Sequence, residues 1–124
     1  MLQVKENRVV RWGDREETAA TFVAWRLGQL QLDFATEFFG ADAVLVPVPR
    51  SGLRKPGALW PGLELASAMV NEGLGARVLP CLRRERAVPK AATSSAKDRP
   101  KARAHFESLA LDHPLELPAR VTLI

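Results

Sequence analysis

The sequence predicts an α/β domain built on a parallel sheet, and three observations carry that reading. Ala43 to Val48 (AVLVPV) is a continuous apolar run without alternation, the pattern of a strand buried on both faces. Apolar residues at helical spacing lie on either side of it. Further β-prone pieces follow at Arg77 to Leu82 and Arg120 to Ile124, so strands alternate with a helix as βαβ crossovers require.

Taken in order, Arg8 to Trp12 is a short β-prone piece ended by Gly13-Asp14. Asp14 with Glu17 three residues on resembles a capping box. Behind it Val23, Leu27, Leu30, Phe34 and Phe38 share one face of a long helix that Gly40 ends, a core-facing stripe. Pro47 and Pro49 end the AVLVPV strand at Val48, because proline supplies no ladder donor. A basic, glycine-bearing loop follows. A second helix starts near Pro61, whose missing N–H costs nothing in a first turn. Leu65, Ala66, Met69 and Val70 form its apolar face, and Gly73 or Gly75 stops it. Arg77 to Leu82 reads as an edge strand because of Pro80. Residues 83–104 show no apolar period and read as a mobile loop. Phe106 to Leu111 reads as a short strand or turn, Pro114 and Pro118 bracket a linker, and RVTLI begins a last strand.

Composition narrows the function classes. The 124 residues suit one domain, divided here into an N-terminal piece and helix (1–42) and a core (43–124) carrying the basic flexible loop 83–104. An apolar fraction of 47% with 26% charged residues excludes wholesale disorder, and with no Tyr the core must be largely aliphatic. Cys81 is the only cysteine, which excludes an internal disulfide and an all-cysteine zinc site. The first 12 residues lack the apolar core of a signal peptide, and no run reaches the ~18 apolar residues of a spanning helix. A cytoplasmic protein without a membrane partner is expected.

The net charge of +4 is unevenly distributed: nine basic residues and two acidic ones lie between Arg77 and Arg103. A field of that sign attracts phosphate, on a small ligand or on nucleic acid. The loop after Val48 is the second place for an anion, since ligands of open α/β sheets bind beyond the carboxyl ends of the strands. There Pro49, Arg50, Ser51 and Gly52 let backbone N–H groups approach an anion, and Arg54 and Lys55 add charge. No dinucleotide or Walker-type glycine motif is present. His105 and His113 have no ligand-type neighbours at metal spacing, so no metal site is assigned. Ser94-Ser95 reads as loop composition, and Cys81 as a packed, inert thiol.

The succession PVPRSG, a helix with LELASAM, then LPCLRRERAVPKAATSSAKDRPKARAHF and finally RVTLI resembles the ComF-type branch of the type I phosphoribosyltransferases over residues 43–124. The resemblance implies a parallel-sheet phosphoribosyltransferase fold, incomplete at its C-terminal side: the acidic pair and Thr- and Gly-rich turn that hold the ribose phosphate would follow Ile124. It makes Pro49 to Gly52 the pyrophosphate loop and residues 90–103 the closing loop, with Arg99, Arg103, Lys90 and Lys101 as its charges. It implies phosphoribosyl pyrophosphate or pyrophosphate as ligand, with Mg²⁺ as cofactor whose ligands are not in this chain. Where the family shows Gly-Phe-Asn this chain has GALWPG, and it lacks the family's four-cysteine segment. The expected protein is thus a truncated phosphoribosyltransferase-like chain, inactive alone. Its exposed sheet edge would be completed by a second copy or by the missing C-terminal segment. The alternative is a basic nucleic-acid-binding module, related to DNA uptake and without catalysis.

Overall fold

The computed structural model describes residues 5–30, 35–90, 93–112, 116 and 118–124. Phe34 of the expected helical stripe, His113 and Pro114 fall outside them.

The N-terminal segment forms a hairpin. Strands β1 (Val9–Trp12) and β2 (Arg15–Thr18) pair antiparallel, with Val9 opposite Thr18 and Trp12 opposite Arg15. Gly13 supplies the positive φ (57°) that the first position of this two-residue turn needs. Arg11 and Glu16 face each other across the strands, 2.8 Å apart. This corrects the helix start expected at Asp14. Pairing holds Glu16 and Glu17 extended, and the cap is Thr18, whose hydroxyl accepts from the Thr21 amide at 3.3 Å.

Helix α1 (Ala19–Gln29) is shorter than the expected helix, and α2 (Ala35–Phe38) is a separate turn. The buried stripe differs too. Ala20 and Ala24 are buried with Leu27 packed beside them, whereas Leu30 and Phe38 are exposed. Alanines on this face pack α1 against the helix at Pro61–Asn71, a placement that a count of large apolar residues does not reveal.

Strand β3 (Val44–Val46) is wholly buried, helix α3 (Pro61–Asn71) begins with Pro61 in its first turn, and β4 (Arg77–Val78) follows. With β7 (Val121–Leu123) they make a parallel three-stranded sheet in the order β4-β3-β7, where Val44 lies beside Arg77 on one side and Val121 on the other. The mixed α/β architecture with a parallel sheet is therefore as the sequence indicates. Its core joins Leu45 of β3, Ala66 and Met69 of α3, and Ala20 and Ala24 of α1. Leu65 and Val70 pack against that core without being buried themselves. Just before β7, Arg120 pairs with Asp42 at 2.9 Å and donates to the Thr36 carbonyl, and within β7 the Thr122 hydroxyl donates to the Phe38 carbonyl, tying α2 and its exit to the sheet.

The basic segment is more ordered in its secondary structure than the expected loop 83–104. It opens in β5 (Leu82–Arg84) and closes in helix α4 (Ala102–Phe106), and β5 pairs antiparallel with β6 (Leu109–Leu111). Only one residue in three of Leu82-Arg83-Arg84 is apolar, so the strand carries no periodic signal. Its partner lies beyond α4. No helix among the described residues is long and apolar enough to cross a membrane.

Candidate anion-binding site

The site begins where β3 ends. The Val48 amide donates to the Ile124 carbonyl at 2.8 Å, and Pro49, having no N–H, lets the chain leave the ladder. The Trp60 indole Nε1 donates to the Val48 carbonyl at 3.2 Å, so the far end of the loop returns to the strand end it left. A glycine follows at 62, where a Cβ would stand 3.4 Å from both the Val48 carbonyl oxygen and the Trp60 Nε1.

This loop forms one wall of a cleft of about 780 Å³, and Pro80, β5, Lys90 and Asp112 form the other. Six cationic side chains line it (Arg50, Arg54, Lys55, Arg83, Arg84 and Lys90) against one carboxylate, Asp112. That carboxylate already faces Arg83, with Oδ1 3.1 Å from Nε. Arg54 lies over the buried Trp60 ring, 4.9 Å from its centroid, a cation–π contact that fixes one of the six charges.

Arg84 differs from the other five in being buried, with 8% of its surface exposed. Its Nε donates to the Arg50 carbonyl at 2.6 Å, one terminal nitrogen reaches the Pro49 carbonyl at 3.4 Å, and the other donates to the Ser108 hydroxyl. Ser108 is itself fully buried and donates to the His105 carbonyl at 2.7 Å. Burial lowers the Arg84 pKa from its ordinary value, yet an arginine remains charged at neutral pH. The guanidinium charge is thus compensated by carbonyl and hydroxyl dipoles, with no carboxylate paired to it among the described residues.

Adjacent to Arg84, the Val88 amide donates to the Ser51 carbonyl at 2.8 Å. Three successive loop carbonyls, those of residues 49, 50 and 51, are therefore occupied from the β5 side. No acceptor among the described residues takes the amides of Arg50, Ser51 or Gly52. A loop whose carbonyls are tied back and whose amides are free, surrounded by guanidinium and ammonium groups, can hold an anion of high charge density.

The structure brings together Pro49, Arg50, Ser51, Gly52, Arg54, Lys55 and Lys90 of the residues singled out in the sequence. Arg99, Lys101 and Arg103 are exposed and do not line this cleft. Arg103 pairs with Glu107 at 2.6 Å, and Lys101 stands at the N-cap of α4. Sequence reading missed Arg83, Arg84, Trp60 and Asp112. Nothing local distinguishes Arg84 from its neighbours Arg83 and Arg86, because its role depends on Ser108 and on the loop at 49–50. Trp60 carried a signal, as one of only three tryptophans and adjacent to a helix-starting proline.

Among the described residues no group of three or more His, Cys, Asp or Glu side chains could hold a metal ion. With its one carboxylate already ion-paired, the cleft is a donor set for anions and does not fit a Mg²⁺ site. No family model, no curated protein and no solved structure matches this chain.

Proposed function

We propose that the cleft beyond β3 binds a pyrophosphate group, and that the chain is phosphoribosyltransferase-like, taking pyrophosphate or the pyrophosphate end of phosphoribosyl pyrophosphate. The observation that carries this reading is the joint arrangement of residues 49–52: free amides, occupied carbonyls, a position after a central parallel strand, and six cations against one carboxylate. A compact polyanion matches such a site because each oxygen finds an N–H donor, and charge-assisted bonds are the strong ones. The bound anion would hold Arg50 and Lys55 through direct contacts and leave Arg84 in its structural bonds.

Binding to nucleic acid is the competing reading, and the ion pairs of the basic segment weigh against it. Arg86 and Arg103 both approach Glu107, and Arg83 is shared by Glu85 and Asp112. The positive tract of the sequence is thereby interrupted on the surface.

Calorimetric titration with inorganic pyrophosphate and with phosphoribosyl pyrophosphate tests the proposal. One-to-one binding is expected, weakened roughly tenfold by Arg50→Ala or Lys55→Ala through loss of a charge-assisted bond. Absence of binding to either compound overturns it. So does binding confined to DNA with a steep fall in affinity as salt rises, the signature of counterion release.

A further inference from the structure

We infer that Arg84 is the positioning residue of the anion loop: it sets the backbone of residues 49–52 and does not itself contact the ligand. This rests on the reading of the cleft as a pyrophosphate site. Three features separate Arg84 from the surrounding cations. It is the buried one, each of its three nitrogens already donates, to the Pro49 and Arg50 carbonyls and the Ser108 hydroxyl, and no carboxylate among the described residues pairs with it. A buried charge without an opposite charge is retained only where dipoles compensate it closely. Here those dipoles are the carbonyls that would otherwise repel an anion at the loop.

The geometry follows from the planar trans peptide, in which C=O and N–H point in opposite directions. With no cis bond in the described chain, drawing the Pro49 and Arg50 carbonyls onto Arg84 turns the Arg50 and Ser51 amides away from it. The Val88 amide does the same for the next peptide through the Ser51 carbonyl, orienting the Gly52 N–H. Two points on the β5 side, Arg84 and Val88, thus set three successive peptides. A lysine cannot replace Arg84, because one ammonium lacks the planar fork that reaches two carbonyls and a hydroxyl at once. Ser108 anchors the fork from behind while lying outside the cleft lining.

The test compares Arg84→Lys and Ser108→Ala with the parent chain in pyrophosphate titrations, melting curves and amide hydrogen exchange. Arg84→Lys keeps the charge, so affinity lost with it reports loop geometry and not electrostatics. The expected result is about a tenfold weaker pyrophosphate affinity for Arg84→Lys, in line with lost hydrogen bonds to a charged group. Ser108→Ala should give a smaller loss, although it removes no charge. In both variants exchange of the Val88 amide should accelerate relative to the parent by more than that of the α3 amides, a readout that uniform destabilisation does not produce. Parent-like affinity and exchange in Arg84→Lys overturn the inference. If Arg84→Lys does not fold, parent-like affinity and exchange in Ser108→Ala overturn it. If the parent chain binds no pyrophosphate, the functional reading fails. The exchange rate at Val88 then still decides whether Arg84 holds the loop.

Discussion

Gly75 shows how the absence of a side chain can govern the approach of the connection after α3 to the sheet. A Cβ there would lie 2.7 Å from Leu45 Cγ and 3.3 Å from the Ala43 carbonyl oxygen. Leu45 is fully buried in the core cluster. Gly75→Ala is therefore expected to lower stability by about 1–3 kcal/mol through overpacking, measured by urea denaturation. An unchanged midpoint would show that this contact relaxes freely. In sequence, Gly73 and Gly75 were equivalent helix stops, yet their roles differ. Gly73 takes the positive φ (77°) beyond α3, and Gly75 makes the close approach. The close approach at Gly75 depends on the position of Leu45, and that is a tertiary fact.

At the scale of elements, the parts visible in the sequence were those whose signal is local. The apolar run of β3 and the proline start of α3 both depend on adjacent residues, and both were legible. The β1–β2 hairpin was not, because Glu16 and Glu17 suit a helix start as well as an extended edge, and pairing with β1 decided between them. The β5–β6 hairpin was hidden for a different reason: its strands are separated by α4 and joined through polar contacts. Arg83 bonds to Asp112, and the Asp112 amide donates to the Cys81 carbonyl at 2.9 Å. The same distinction applies to the cleft, where the loop 49–55 could be read and the opposite wall could not. Asp112 gives this a measurable consequence, since its carboxylate competes with any anion for Arg83. Asp112→Asn is expected to tighten pyrophosphate binding by about threefold, the modest worth of a partly exposed ion pair. Weaker binding would mean that the carboxylate supports the site through the hairpin.

At the scale of the whole molecule, β3 sits between two strands that reach it from distant parts of the chain. Val44 meets Arg77 on one side and Val121 on the other. Closing such long loops costs entropy before any ladder bond repays it, which makes non-local pairing slow compared with helix formation. In pulse-labelled hydrogen exchange during refolding, amides of α3 are expected to gain protection before those of β3; simultaneous protection would contradict this order. The anion loop begins at the end of β3, and its carbonyls are fixed from β5, another late arrival. With that order, the chain would pass through a stage in which α3 has formed while residues 49–52 still lack their fixed peptide planes. Ligand affinity should be acquired only as the last pairings close, so an anion present in the surrounding solution would act on the final stage of folding and leave the first untouched.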